Sequence, residues 1–514
     1  MGTFTVFLWQ PDVTCQTKGG VVSKELTLQE LKSYLWGSAN ILRGSIDAAD
    51  FKNYILGMLF FKRLSDVYDE EYEKLLEKVG PELASNPDMH THLFRPNGCA
   101  WKDILNVSVN IGEKINHAFS QVTLANSPRL DGILDRIDFA DKTKLNDAAL
   151  SNLVQHFSRH KLGNNNVSGD MLGQAYEYLI EQFADDAGKK GGEFYTPSMV
   201  TKLLVMMLKP HELESIYDPC CGSGGMLIQA AKYLVGHGGN PSKLFMYGQE
   251  KNYNTYVIAK MNMVLHGYED AHIEREDTFD APRHLENGKL KQFDIVLANP
   301  PWNYPNWHHE KWKNGDPYRR FTFGLPPKSA GDWAWLQLMY ASLKPKGRMG
   351  IVMDNGVLFR GSSEEKIRKE FLESDLIEAA IGLPSNLFYN AGSPGCLLLF
   401  NDSKPEERKG KVLFIDASKD YLEGKAQNFL RQEDIEKTAE TFDAFETLER
   451  YCTVAKLDEI KENDYNLNIS RYVDTTEPEE PVDIPEVMKN LEALQVERAR
   501  VQDKLDAYLK ELGI

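Results

Sequence analysis

Apolar residues along this chain follow two different periods, and the change comes near residue 170. From Leu26 to about Leu162 they recur every three or four positions. Leu28, Leu31, Leu35 and Trp36 form one stripe, and Phe51, Tyr54, Ile55, Met58, Leu59 and Leu64 form the next. That spacing puts each set on one helix face, so the first third of the chain predicts an all-α unit with a shared core. Residues 1–25 carry no such pattern, and Gly163-Asn-Asn-Asn-Val-Ser-Gly169 reads as a linker. Short apolar runs then alternate with helical stretches, at 215–217, 243–249, 293–298, 348–353, 377–381, 396–400 and 411–415. Strand–helix alternation of this kind predicts a mostly parallel sheet covered by helices, an α/β fold. About a hundred acidic, largely helical residues follow. Near their end, Glu477-Pro-Glu-Glu-Pro481 reads as a stiff linker. Beyond it Ile484, Val487, Leu491, Leu494, Val501, Leu505, Tyr508 and Leu512 keep a three-four spacing, with Arg498 at one seam position. This coiled-coil-like stripe either packs back on its own chain or serves a partner helix; its terminal place behind prolines favours the partner. The predicted organisation is an extension (1–25), an all-α N-terminal domain (26–165), an α/β catalytic domain (166–475), and a linker with a C-terminal docking helix (476–514).

The turn that closes the 293–298 run carries the sharpest chemistry. Asn299-Pro300-Pro301-Trp302 suits methylation of an exocyclic amine on a flat ring. Such an amine is a poor nucleophile because its lone pair is delocalised into the ring. The Asn299 side-chain carbonyl and the Pro300 main-chain carbonyl can accept both amine hydrogens. That draws the nitrogen toward tetrahedral geometry and frees the lone pair. Acceptors act most when fixed where positive charge develops, and the prolines fix φ in advance. Trp302 offers a stacking surface. Alone, the same four residues also describe a rigid loop with a capping Trp.

Asp218-Pro-Cys-Cys-Gly-Ser-Gly-Gly225 lies between a short apolar run and a helical stretch. Strand, Gly-rich turn and helix make a cofactor-binding element of an open sheet, with the ligand at strand C-termini. Gly222, Gly224 and Gly225, with Ser223, let the backbone approach that ligand. The turn ends Gly-Gly-Met rather than Gly-Lys-Ser/Thr, and Leu227 stands where a dinucleotide fingerprint requires glycine. A methionine-bearing nucleoside without a pyrophosphate therefore fits better than ATP or NAD. Glu250 ends the next strand, about thirty residues after Asp218. A carboxylate there can accept from both ribose hydroxyls; the plain alternative is a surface carboxylate. Asp277 holds a comparable later place and can receive the cofactor's adenine amine, although a turn Asp requires no ligand.

Composition narrows the class. The 514 residues allow several domains and a large core. No run of eighteen apolar residues occurs, so no membrane span is expected, and the first residues lack a signal peptide's basic flank. Six cysteines, at 15, 99, 220, 221, 396 and 452, show no Cys-x-x-Cys spacing. Neither a metal site nor a disulfide framework is predicted, and a reducing, cytoplasmic setting follows. Cys220 and Cys221 read as small spacers. The net charge of −17 is awkward for a DNA enzyme, because phosphate neutralisation dominates such affinity. One local answer is the segment 302–330. There Lys311, Lys313, Arg319, Arg320 and Lys328 interleave with Trp302, Tyr304, Trp307, Trp312, Tyr318, Phe321 and Phe323. That mixture suits a flipped base and its backbone, or equally a lid with an aromatic core. The other answer is a partner. No target-reading domain is evident after residue 420, so for a sequence-specific nucleic-acid substrate another polypeptide would read the sequence.

Gly192-Glu-Phe-Tyr-Thr-Pro197 precedes the Gly-rich turn. With these elements in this order, the chain resembles the modification (methyltransferase) subunit of type I restriction–modification systems. Asp170-Met-Leu-Gly-Gln-Ala-Tyr-Glu-Tyr-Leu179, Phe323-Gly-Leu-Pro-Pro327, Gly356-Val-Leu-Phe-Arg-Gly361, Ile381-Gly-Leu-Pro-Ser-Asn-Leu-Phe388 and Asn466-Leu-Asn-Ile-Ser-Arg-Tyr472 are also similar to that family. The likeness runs roughly from residue 27 to 475. It implies a Rossmann-like S-adenosylmethionine-dependent methyltransferase domain acting on adenine N6 in double-stranded DNA. It implies Glu193, Phe194, Tyr195, Thr196, Pro197 and Ser198 close to the cofactor, alongside the Gly-rich turn and Glu250. It further implies a specificity subunit that binds the C-terminal helix, two modification subunits per specificity subunit, and a restriction subunit in the full complex. Adenine rather than cytosine N4 rests on the resemblance, since both amines suit the turn. The alternatives are a self-sufficient DNA, RNA or protein amino-methyltransferase, or a non-catalytic assembly subunit.

Overall fold

The computed structural model describes residues 26–42, 48–134, 137–168, 171–173, 175, 178–179, 196–388, 392–424, 427–476 and 484–513. The expectations for residues 1–25, for Glu193, Phe194 and Tyr195, and for the linker at 477–481 fall outside them.

The first apolar stripes form helices α1 (Leu28–Leu42) and α2 (Ala48–Val79), followed by α3 (Ile111–Ala125) and α4 (Asp147–Phe157). A reciprocal cap opens α1: the Glu30 N–H donates to Thr27 Oγ1 at 3.2 Å, and the Thr27 N–H donates to the Glu30 carboxylate at 2.9 Å. Leu31, Leu35, Ile55, Met58 and Leu59 are all buried in the shared core. That core does not close on itself. Val257, Ile258, Met261 and Leu265, from helix α7 (Tyr253–Leu265) of the α/β unit, complete it.

The polar run at 163–169, expected as a linker, is instead a pinned turn through its described residues. The Arg63 guanidinium, itself buried, donates to the carbonyls of Leu162 and Val167 and to Asn164 Oδ1. Glu70 accepts from the Asn165 N–H at 3.2 Å. A Cβ on Gly163 would sit 2.0 Å from the Glu70 carboxylate. Arg63 has five donors and no acceptor, and three of those donors are taken up here.

The α/β unit is built on strands β1 (Ser215–Asp218), β2 (Phe245–Glu250), β3 (His272–Arg275), β6 (Phe293–Ala298), β7 (Leu343–Asp354), β8 (Ile377–Gly382), β9 (Gly395–Asn401), β10 (Lys411–Asp416) and β11 (Cys452–Lys456). A separate hairpin pairs β4 (Leu285–Glu286) with β5 (Lys289–Leu290). The sheet order is β11-β10-β8-β9-β7-β6-β1-β2-β3, with β9 and β11 antiparallel to their neighbours and the remaining pairs parallel. Helices α5 (Ser198–Leu208), α6 (Gly225–Gly236) and α10 (Gln432–Ala444) cover one face. Helices α8 (Asp332–Ala341) and α9 (Ser363–Glu373) cover the other. The β6 side chains alternate accordingly, Ile295 and Leu297 toward one face, Val296 and Ala298 toward the other. The chain runs from β1 outward through β2 and β3, then returns to the far side of β1 as β6. That reversal makes a topological switch point, where open sheets bind ligands beyond the strand C-termini.

Helix α11 (Ile484–Glu511) has no buried residue. Its stripe, from Ile484 (67% exposed) to Tyr508 (63% exposed), does not pack back on the described part of the chain. No described helix is long and apolar enough to cross a membrane.

Candidate active site

The Gly-rich turn leaves β1 and enters α6. Gly222 and Gly224 take φ of 53° and 80°, in the left-handed region that favours glycine. A Cβ on Gly224 would also sit 2.5 Å from the Met263 methyl of α7. Buried Asn262 donates to the Ser223 carbonyl at 3.0 Å, and the Cys221 N–H donates to the Gln249 carbonyl at 3.0 Å. The Glu250 carboxylate accepts from the N–H of Gly222 at 3.0 Å and of Asn252 at 2.7 Å. The turn and the end of β2 thus hold each other. The Asp218 carboxylate accepts from the Cys220 N–H at 3.0 Å. Burial pushes the Asp218 carboxyl up to about 7; the Cys220 N–H opposes that shift and the nearby Glu250 charge adds to it. Burial likewise pushes the Cys220 and Cys221 thiols well above their usual range, which agrees with a spacer role.

A cleft opens over this turn, with Thr196, Ser198, Asp218, Gly222, Ser223 and Asn299 in its wall. Among the described residues neither Lys nor Arg lines it. The Asp218 carboxylate in this wall disfavours a phosphate and suits a cationic nucleoside such as S-adenosylmethionine. Expected site residues Asp218, Gly222, Ser223, Gly225, Thr196 and Ser198 therefore share one cleft.

Asn299 follows β6 directly, on the strand beside β1. Its carboxamide is held at both ends. The Nδ2 donates to Thr196 Oγ1 at 2.8 Å, and Oδ1 accepts from Trp302 Nε1 at 3.1 Å. Trp302 Nε1 also reaches the Val352 carbonyl at 3.2 Å, and its ring meets Phe388 edge-on at 4.7 Å. Gly395 makes this packing possible, since a Cβ there would lie 2.8 Å from Phe388 and 3.0 Å from Trp302. An amide carbonyl has two lone pairs, so Asn299 Oδ1 retains one for a substrate amine. The sequence pointed to Trp302 for stacking; its indole N–H adds an orienting bond that Phe or Tyr at that place would not supply.

Asp277 does not line that cleft. Its carboxylate pairs with Lys251 at 2.8 Å and His308 at 3.1 Å, and accepts from the Phe279 N–H at 2.9 Å. Burial opposes ionisation there, but the Lys251 and His308 hydrogen bonds outweigh it and hold the carboxyl below its ordinary value. The segment after the turn is strapped to this same region. Tyr304 Oη accepts from Lys251 at 3.1 Å, and Lys311 pairs with Asp280. Trp307 and Trp312 are buried, as a lid with an aromatic core requires.

Arg320 corrects an expectation. Predicted as a DNA contact, it is 1% exposed. Its guanidinium makes a bidentate pair with Asp316 at 2.9 Å and donates to the carbonyls of Thr278 at 3.1 Å and Phe279 at 3.0 Å. Sequence shows a cation among aromatics; it does not show that the cation's donors are consumed inside the lid. Arg320→Ala is expected to lower stability by about 3–5 kcal/mol, because it leaves Asp316 buried without its partner. Urea unfolding checks this. A stable variant whose DNA binding loses about one unit of salt slope would restore Arg320 as a phosphate contact. Lys311, Lys313 and Arg319 remain exposed, and Lys313 meets Glu310 at 2.6 Å.

Comparisons with known proteins identify the family. A family model described as N-6 DNA methylase matches residues 167–481, and one for the HsdM N-terminal domain matches residues 31–157. The type I restriction enzyme MjaVIII methylase subunit of Methanocaldococcus jannaschii is 37% identical, over 96% of this chain and 85% of its own. The HindI methylase subunit of Haemophilus influenzae is 35% identical, over 78% of this chain and 91% of its own. The crystal structure of a type I restriction–modification methyltransferase subunit from Streptococcus thermophilus superposes with a TM-score of 0.77 at 34% identity, over 88% of this chain and all of that one. A strand-end Asn-Pro-Pro-Trp turn beside a carboxylate-lined nucleoside cleft, and relatives matched along nearly their whole length, lead to one assignment: the chain belongs to the N-6 DNA methylase family, among the methylase subunits of type I restriction enzymes.

Proposed function

We propose that this adenine-specific DNA methyltransferase subunit takes its target as an adenine extruded from the duplex and held by Asn299, Pro300 and Trp302. The doubly anchored Asn299 carboxamide beside the cofactor cleft carries this reading. When bound, S-adenosylmethionine supplies an electrophilic methyl group on a cationic sulfur. The chain's own residues do the rest. Glu250, aimed by two backbone N–H groups, receives the ribose hydroxyls. Asp218 lines the cleft with negative charge. Asn299 Oδ1 and the Pro300 carbonyl accept the two hydrogens of N6 and localise its lone pair. Trp302 stacks on the base and holds Asn299 in place. Positioning is the largest contribution. The surplus proton leaves to water after transfer, so no side chain is assigned as general base. Thr196 and Ser198 form the near wall of the cofactor cleft, and Glu193, Phe194, Tyr195 and Pro197 are the further candidates for cofactor contact. Asp277 acts at the adenine end through its Lys251 and His308 partners. Lys311, Lys313 and Arg319 are the remaining DNA-contact candidates. Helix α11 docks on a helix of a specificity subunit, which reads the sequence, with two methylase subunits per specificity subunit and a restriction subunit in the full complex.

Two measurements test the site. Nucleoside digestion of the methylated DNA should give N6-methyladenine; N4-methylcytosine, or label entering only RNA or protein, overturns the substrate assignment. Cofactor affinity should depend on pH. The Asp218 carboxyl, raised to about 7 by burial, is ionised above that value. A cationic ligand favours the ionised form, so affinity is full above pH 7 and is lost as pH falls through 7. The calorimetric Kd should rise by up to about tenfold per pH unit below 7, and Asp218→Asn should flatten the profile. A pH-independent Kd in the parent removes Asp218 from the cofactor contact.

A further inference from the structure

The geometry points to Arg360 as a positioning residue for methyl transfer, acting on the catalytic turn through Asn303; this rests on the proposed role of Asn299. Asn303 immediately follows Trp302 and takes a φ of 53°, a left-handed conformation that Asn tolerates better than most residues. Both polar sides of Asn303 are held. Its main-chain N–H donates to Asp332 Oδ1 at 2.8 Å, and its side-chain carbonyl accepts from Arg360 Nη1. Arg360 Nη2 then donates to Asp332 Oδ2, which closes a ring of three residues. Arg360 Nε also faces the buried Glu364 carboxylate at 3.3 Å. The ring joins three separate elements: the turn after β6, the first residue of α8, and the loop after β7.

The surroundings are built to keep this arginine in place. Asp332 is fully buried, and its carboxylate has the Asn303 N–H and the Arg360 guanidinium as partners. The Arg360 carbonyl accepts from Arg368 Nη1 at 2.9 Å, and its N–H donates to the Gly356 carbonyl at 3.0 Å. A Cβ on Gly356 would lie 3.1 Å from Arg360 Nε and 3.2 Å from Cζ, so glycine leaves the space that the guanidinium fills. The Asn299 carboxamide is fixed from the cleft side by Thr196 and from within the turn by Trp302. Arg360 fixes the chain's exit from the same turn. A swing of the backbone at Asn303 would carry Trp302 with it, and with Trp302 the bond that sets the direction of Asn299 Oδ1. Placement errors of about 1 Å cost about 100-fold in rate.

Arg360→Lys keeps the charge and loses the fork that reaches Asn303 and Asp332 together. In the assembled methyltransferase, its kcat is expected to fall about 10- to 100-fold. The KM and calorimetric Kd for S-adenosylmethionine should stay within about twofold, because the cleft lacks Arg360. Asn303→Gly keeps the left-handed backbone and removes the Arg360 acceptor; the same split is expected there, and it serves if the lysine variant does not fold. Parent-like kcat in either folded variant overturns the proposal. So does a joint loss of kcat, cofactor affinity and melting temperature, which marks a structural role. Asn299→Ala run in parallel separates the two claims. If it methylates normally, the turn itself is misassigned; if it is inactive while Arg360→Lys is fully active, only the positioning role falls.

Discussion

Asn299→Ala is expected to lose methyl transfer by at least about 10²-fold while still binding S-adenosylmethionine. The lower bound follows from removal of one preorganised hydrogen-bonding group aimed at developing charge, which costs about 10²–10³ in kcat. Here the same change also strips Trp302 Nε1 of one acceptor and frees the Thr196 hydroxyl, so the remaining Pro300 carbonyl loses its rigid frame. Cofactor binding draws on other groups. Asp218, Glu250 and the Gly222–Gly225 turn hold one another without Asn299. Labelled transfer and calorimetry on the same preparation give both readings. Normal transfer by the variant would move the chemistry away from this turn, and a lost cofactor site would make Asn299 a structural wall residue.

Deletion of residues 477–514 should abolish stable association with the specificity subunit, and with it sequence-specific methylation. Helix α11 exposes Ile484, Leu491, Leu494, Val501, Leu505 and Tyr508 along one stripe and buries none of them. Burial of each such side chain contributes about 1.5–3 kcal/mol. Six of them outweigh the ordering cost of association, roughly 4–15 kcal/mol, only if most are covered together. The truncated chain should keep cofactor binding, because α11 leaves the α/β unit untouched. Co-purification on a size-exclusion column distinguishes the outcomes. A truncated chain that still co-elutes with its partner would place the docking surface elsewhere.

Much of the fold was legible because two periodicities separate cleanly along the chain. The three-four stripe of Leu28, Leu31, Leu35 and Trp36 and the short runs at 293–298 and 411–415 became the helix Leu28–Leu42 and the strands Phe293–Ala298 and Lys411–Asp416. The site was legible where chemistry is local: Asn299 and the Gly-rich turn sit within a few residues of the strand ends that place them. What stayed hidden depends on contacts distant in sequence. The run 163–169 is polar and Asn-rich, so it reads as a linker, yet its Val167 carbonyl and Asn164 side chain accept from Arg63, about a hundred residues earlier. Arg320 reads as an exposed cation because, although Asp316 lies only four residues before it, nothing local shows the 278–279 carbonyls enclosing it. Thr196 entered only as a cofactor neighbour; its bond to Asn299 spans the whole first half of the sheet. Arg360 and Asp332 lie on separate elements, and only the sheet order brings them to Asn303. The family-like segment Gly356-Val-Leu-Phe-Arg-Gly361, which contains Arg360, was the available signal.

The most direct measurement is methyl transfer from labelled S-adenosylmethionine to double-stranded DNA, with this chain alone and with a co-expressed specificity subunit. N6-methyladenine at one sequence, formed only when the partner is present, is the expected result. Site-specific N6-methyladenine from the isolated chain would contradict it, because the chain would then read DNA without a partner.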